Sequence, residues 1–228
     1  KDSPYIDIRL PCGSGIDVFF DVTLAEAALN QVLDANAARQ PASLVFNLTQ
    51  RACHVEAGEV TLDSGDTWAR LCEPAIRIWA VGKGPLLPLI ATLGSAAEFE
   101  VIACSSERET LDMARPHAAQ AHALTTADGF DCGPLDPWTA FVSLFHEHEW
   151  DAPILTKALA SHAFYVGALG SKRTAEARRE TLADMGVPAD VIARLHGPVG
   201  LDLGARSPPE IALAILGQIV KVRRRGQG

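Results

Sequence analysis

The residues of this chain best suited to chemistry lie in two glycine-rich turns of its last third. One runs from Tyr165 to Arg173 and reads YVGALGSKR; the other runs from His196 to Glu210 and reads HGPVGLDLGARSPPE. Each follows an apolar run and opens a helical pattern, an arrangement that turns free backbone N–H groups toward an anion. In the first turn Gly167 and Gly170 free the backbone, Ser171 is placed as a helix cap, and Lys172 and Arg173 fall in the first helical turn. Cations there oppose the helix macrodipole at about 0.3–1 kcal/mol each. A bound anion reverses that cost; otherwise both side chains simply point to solvent. In the second turn Gly197, Gly200 and Gly204 hold a tight loop, and Ser207 to Glu210 has capping-box spacing. Asp202 and Arg206 stand alone among apolar residues. They either pair and fix the loop, or Asp202 accepts from the N–H edge of a pterin or purine while Arg206 contacts phosphate.

A third turn, Val81 to Leu87, gives the Gly-x-Gly entry of a dinucleotide fold through Gly82 and Gly84, with Pro85 suited to the first helical position. Leu87 stands where the fingerprint wants its third glycine. The next strand ends on Cys104-Ser-Ser-Glu107, where Glu107 could hold a ribose, or Ser105, Ser106 and Arg108 a 2′-phosphate. NAD(P) therefore stays an alternative ligand. His146 and His148 alternate along an expected strand as a metal pair would, but matching ligands are missing, so no metal site is assigned. His146 reads better as lining the cleft, and His196 is a similar candidate. Cys12, in the turn Pro11 to Gly15, is either a reactive thiol or a small buried hydrophobe. P-loop, Gly-x-Ser-x-Gly elbow, zincin helix and Tyr-x-x-x-Lys pair are all absent. With no catalytic team, an anion cleft suggests a carrier.

The elements that position these turns read as a small α/β unit followed by a Rossmann-like α/β domain, divided near residue 74. Strands are expected at Tyr5–Leu10, Ile16–Val22, Ala42–Leu48 and His54–Leu62. Thr23 caps a helix carrying Ala25, Ala28, Leu29, Val32 and Leu33 at helical spacing. Beyond Pro74, strands at Ile76–Val81, Phe99–Ala103, Ala121–Thr126, Thr139–Phe145 and Ala163–Leu169 alternate with helices. Those helices are expected at Leu86–Leu93, Arg108–His117, Pro153–Ala160, Thr174–Met185 and Pro208–Val222. Apolar strands between helices imply a doubly wound parallel sheet covered on both faces.

Composition narrows the function. With 228 residues, 48% of them hydrophobic and 21% charged, the chain can bury a substantial core and is not disordered. A net charge of −8 argues against a nucleic-acid surface. No run approaches the roughly 20 apolar residues of a membrane span, and no signal-peptide pattern is present. Lys1 is not an initiator methionine, which leaves room for residues upstream. Five scattered cysteines without a Cys-x-x-Cys pair suit a reducing cytoplasm.

The segments YVGALGSKRT, HGPVGLDLGARSPPEIALAIL and PCGSGIDVFF, with Phe145-His-Glu147, resemble the XdhC/CoxI family of molybdoenzyme maturation factors. The resemblance spans most of the chain. It implies a dimeric cytoplasmic chaperone with a Rossmann-like C-terminal half. Such a chaperone binds molybdenum cofactor, as molybdopterin or its cytidine dinucleotide. It shields the cofactor while a cysteine desulfurase supplies sulfur, then passes it to an apo-molybdenum hydroxylase. It also implies that Gly167, Gly170, Ser171, Arg173, Gly200, Asp202 and Arg206 carry cofactor-binding roles, with Cys12 and His146 beside them. Family members usually have a Gly-Ala-Gly-His-like turn where this chain has Gly82-Lys-Gly-Pro85. An Asp-Pro-Arg that often ends the next strand is replaced around Cys104-Ser-Ser106, and an upstream Gly-Gly-Cys segment is missing. The rival readings are an NAD(P)-dependent oxidoreductase using Gly82 and Gly84, and a ligand-free adaptor between desulfurase and dehydrogenase.

Overall fold

The computed structural model describes residues 24–62, 65–127, 129–133, 135–145 and 148–225. The two expected strands before Val22, the Thr23 cap, Cys12 and His146 lie outside the described residues. The chain forms two compact units, Lys1–Glu73 and Pro74–Gly228.

In the first unit, helix α1 (Glu26–Ala37) precedes strands β1 (Ala42–Asn47), β2 (Ala52–Ala57) and β3 (Thr67–Cys72). The strands form an antiparallel sheet in the order β2-β1-β3. β1 is apolar and buried along nearly its whole length because it is central, and Leu44 and Phe46 pack with Ala28 and Val32 of α1. The expected strand over His54–Leu62 ends instead at Ala57, where Gly58 turns the chain with φ +75°. β3 adds to the expected strands, and Thr67-Trp-Ala-Arg-Leu-Cys72 has the alternating exposure of a half-buried edge strand.

The second unit is a six-stranded parallel sheet. Its first half runs β4 (Arg77–Gly82), α2 (Leu86–Ala96), β5 (Glu100–Ser105), α3 (Arg108–Ala114) and β6 (Gln120–Ala123). Its second half runs β7 (Thr139–Leu144), α4 (His148–Leu159), β8 (Tyr165–Ala168), α5 (Lys172–Asp184), α6 (Ala189–Ile192), β9 (Leu195–His196) and α7 (Pro208–Arg225). The strand order β6-β5-β4-β7-β8-β9 reverses direction between β4 and β7, the crevice where doubly wound folds hold ligands. One core cluster joins α2, α3 and α7 to the sheet, and the other joins α4, α5 and α6 to its opposite face. Ile78, Leu87, Ile90, Leu155, Ile215 and Ile219 are wholly buried, each worth about 1.5–3 kcal/mol.

Two local expectations are corrected. The helix expected from Pro153 begins five residues earlier, at His148. Trp150 stacks on Phe145 at 5.6 Å, and Asp151 forms a buried ion pair with Arg178, so tertiary contacts anchor the first turn ahead of the proline. Since β7 stops at Leu144 and His148 opens α4, His148 belongs to a helix and not to the expected strand.

Candidate functional site

The first turn of interest links β8 to α5. Leu169 prolongs the sheet by donating its N–H to Ser143 O at 2.8 Å, and the chain then reverses at Gly170, φ +152°. A Cβ at Gly170 would lie 3.0 Å from the Thr174 side chain, so glycine is required by both backbone and space. Ser171 caps α5: its Oγ accepts from Thr174 N at 3.1 Å. Lys172 and Arg173 follow in the first helical turn, both exposed. Gly167, by contrast, is a packing residue, since a Cβ there would meet Tyr165 Oη and Val199 at 2.7 Å.

Beneath this turn lies an arginine that no sequence motif marks. Arg178 is 2% exposed. Its Nε donates to Asp151 Oδ2, its Nη2 donates to Leu169 O at 2.9 Å, and its Nη1 has no partner among the described residues. Ser143 Oγ donates to the other oxygen of Asp151. A signal was present: Ala175, Arg178 and Leu182 share the core-facing stripe of α5, a position where an arginine is out of place unless paired.

The second turn is held by α7. Gln218 Oε1 accepts from Tyr165 Oη at 2.5 Å and from Gly200 N at 2.8 Å, tying helix, strand and loop together. Val199 N donates to Ala168 O at 3.1 Å and Leu201 N to Ala214 O at 3.0 Å. Gly200 has φ +104° and sits against Ala214, 3.3 Å from where its Cβ would stand. Burial raises the Tyr165 phenol well above its usual range. His196 stacks on Tyr165 with ring centroids 4.6 Å apart. Burial, then the charge of Arg179, lowers its pKa and favours the neutral ring. Glu210 Oε2 accepts from Arg206 N and Ser207 N, each at 2.9 Å, and these bonds hold its carboxyl below the usual carboxylate range. Asp202 and Arg206 are both exposed and form no ion pair with each other, so the internal-pair alternative is set aside.

The two turns meet around a cavity of about 370 Å³ whose lining includes Leu169, Gly170, Lys172, Gly200, Asp202 and Ile211. Lys172 and Asp202 therefore face one space from opposite turns. Ser171, Arg173 and Arg206 are not part of that lining. A neighbouring crevice of about 480 Å³ shares Leu169 and Ile211 and extends to Lys83, Gly84, Glu107 and Leu144, at the strand-order reversal. There the first Gly-x-Gly turn is already satisfied internally. Gly84 N donates to Glu107 Oε2 at 3.3 Å and to Thr110 Oγ1 at 3.2 Å, and Thr110 Oγ1 donates to Glu107 at 2.8 Å. The Gly84 amide is thus engaged by a carboxylate and a hydroxyl of the protein itself. Gly82 serves packing, since a Cβ there would lie 2.6 Å from Leu144 Cβ. Ser105, Ser106 and Arg108 line a separate cavity of about 600 Å³ with Arg115.

Among the described residues no group of three or more His, Cys, Asp or Glu is arranged to hold a metal. Nor is any helix among them long and apolar enough to cross a membrane. The donor set does fit a phosphorylated pterin: helix-start amides and Lys172 for an anion, Asp202 for an N–H edge, and Gly204, whose Cβ position is open, for close approach of a flat ring.

Comparison with known proteins agrees with this architecture. Residues 78–219 match the family model of the XdhC Rossmann domain. The molybdenum cofactor insertion chaperone PaoD of Escherichia coli is 24% identical over 98% of this chain and 64% of its own length. A protein of Bacillus subtilis named as a probable xanthine dehydrogenase component is 27% identical over 67% of this chain and 44% of its own length. The chain thus spans less than two-thirds of these relatives. A crystal structure of a xanthine dehydrogenase from Bacillus halodurans superposes with a TM-score of 0.69, at 22% identity, over 86% of this chain and 64% of that one, which establishes the shared fold.

Proposed function

We propose, since the chain belongs to the XdhC family, that it carries molybdenum cofactor and inserts it into a molybdenum hydroxylase of the xanthine dehydrogenase type. The observation that supports this reading is the single cavity into which Lys172 and Asp202 project from two glycine turns. In this reading Lys172 and the amides following Gly170 and Ser171 hold the phosphate, and Asp202 accepts from the pterin N–H edge. Arg173 and Arg206, exposed at the rim, attract the anion from solvent. Gly204, with open space at its Cβ position, lets the ring lie against the backbone. The cofactor, when bound, supplies the redox chemistry of the client enzyme. This chain's own work is to bind, orient and shield.

The same reading assigns a cysteine desulfurase as the source of the terminal sulfur, and keeps for Cys12 and His146, which lie outside the described residues, the roles that the family resemblance implies. It also assigns a homodimeric state and a cytoplasmic setting. Glu107 weighs against the NAD(P) alternative, because its carboxylate occupies the Gly84 amide that a dinucleotide would use. An adaptor without ligand gives no role to the cavity.

The test is to purify the protein from a host that makes molybdopterin, denature and oxidise it, and quantify the fluorescent pterin product. Near-stoichiometric pterin is expected, falling at least tenfold in Lys172→Ala and Asp202→Ala. Unchanged retention in both variants would reject the site, and a bound nicotinamide nucleotide in place of pterin would favour the oxidoreductase.

A further inference from the structure

Arg178 has a donor to spare in a place where donors are not left idle. The side chain is 2% exposed, its Nη1 is sealed from solvent, and no acceptor among the described residues reaches it. A buried unsatisfied donor costs about 1–3 kcal/mol, and more when charged. Its position gives that cost a purpose. Nη1 lies 3.6 Å from the point where a Cβ of Gly170 would stand, directly under the turn that opens α5 and lines the cavity. Nη2 holds the carbonyl of Leu169, the residue just before that turn. The helix is 13 residues long and Ser171 caps one of its first amides, leaving others for a ligand.

We infer that Arg178 is the buried electrostatic anchor of a phosphate oxyanion site at the Gly170–Ser171 turn, with Nη1 held for that oxyanion and Asp151 as the standing counter-charge. Asp151, itself 2% exposed and braced by Ser143, keeps the guanidinium oriented and partly neutralised while the turn is empty. When an anion docks against the helix amides, the positive charge below is shared between two acceptors. The spare N–H gains the acceptor it lacks as the Thr174 side chain gives way. An arginine acting only as a core strut has no reason to respond to anions at all. This inference rests on the anion-turn reading above, and adds to it a residue and a sign.

The probe is inorganic phosphate, titrated into the full chain by calorimetry and by its effect on the melting temperature. Arg178→Met is expected to weaken phosphate binding about tenfold or more, the loss of one charged hydrogen bond. Asp151→Asn is the discriminating variant: it lowers stability without phosphate yet tightens phosphate binding severalfold, because the counter-charge is gone and the shape is kept. Side-chain 15N resonances of Arg178 in the unmutated protein should shift on phosphate addition, a readout that survives if either variant fails to fold. If phosphate binds the unmutated protein but leaves the Arg178 resonances in place, or if Asp151→Asn weakens binding, the anchor is wrong while the anion turn stands. If phosphate does not bind the unmutated protein, the turn reading falls and the anchor with it.

Discussion

Gln218→Leu isolates the joint that holds the Gly200 loop. The amide oxygen of Gln218 accepts two hydrogen bonds at once, from Tyr165 Oη at 2.5 Å and from Gly200 N at 2.8 Å. Leucine fills nearly the same volume, so no cavity opens and the loss is confined to those bonds. Tyr165 is 1% exposed, and its stranded hydroxyl should cost about 1–3 kcal/mol. Gly200 is half-buried, within reach of water, and adds about 1 kcal/mol. The sum, about 2–4 kcal/mol, corresponds to a fall in melting temperature of about 4–16 °C at this chain length. Differential scanning calorimetry reads it directly. The stricter test is the double variant. Tyr165→Phe alone costs about 1 kcal/mol, but in the Gln218→Leu background it removes the stranded donor and should restore all but the about 1 kcal/mol of the Gly200 bond, because replacing both partners by apolar groups is nearly neutral. If the double variant is as unstable as the two single losses added together, the joint does not work through these bonds.

Other outcomes follow from particular residues. Gly82→Ala places a Cβ 2.6 Å from Leu144 Cβ and 2.8 Å from its backbone at φ +155°, so it should cost about 2–6 kcal/mol through strain and overpacking; Gly204→Ala, in open space at φ +66°, should cost about 1 kcal/mol, as urea titration would compare. His196 has a pKa lowered in the folded state, so the unfolded chain binds its proton first. Stability is then complete above the unfolded value near 6.5 and declines as pH falls from there toward the folded value. The His196→Phe variant should show a flatter stability profile between pH 7 and 5, measured by chemical denaturation. Cys104 is 3% exposed, and burial pushes its thiol up to about 12, so iodoacetamide at pH 8 should leave it unmodified in the native protein and alkylate it in denaturant, by mass spectrometry. Glu107→Ala should remove the carboxylate beside the Gly84 amide and leave only the Thr110 hydroxyl there, so the variant should gain weak affinity for a diphosphate, measured calorimetrically, that the unmutated chain lacks.

The parallel sheet was legible because its central strands are apolar runs interrupted only by Ser143: Ile78 to Val81, Val101 to Cys104 and Ala140 to Leu144 are buried along nearly their whole length. The helix boundaries that failed did so for tertiary reasons. Trp150 and Asp151 find partners in Phe145 and Arg178, and those contacts begin α4 before the residue that local rules prefer. β9 escaped notice because two residues, Leu195 and His196, carry no periodicity. They become a strand only because β8 offers an edge.

For the site, local chemistry was readable and distant partnership was not. Ser171 could be recognised as a cap because its acceptor role is completed three residues away, at Thr174. Gln218 could not be recognised, since Tyr165 lies 53 positions earlier in the chain, and Arg178 meets Asp151 across 27. The cations that drew attention, Arg173 and Arg206, did so by standing beside glycine turns, but both are exposed, where a charge is inexpensive and carries little information. Arg178 carries more, because a guanidinium on the core-facing stripe between Ala175 and Leu182 persists only if it is paired. An acidic partner can be anticipated from that stripe, but the idle Nη1 cannot. That single unclaimed donor, under a glycine with no side chain to shield it, argues that the turn is shaped for an oxyanion as well as for the fold.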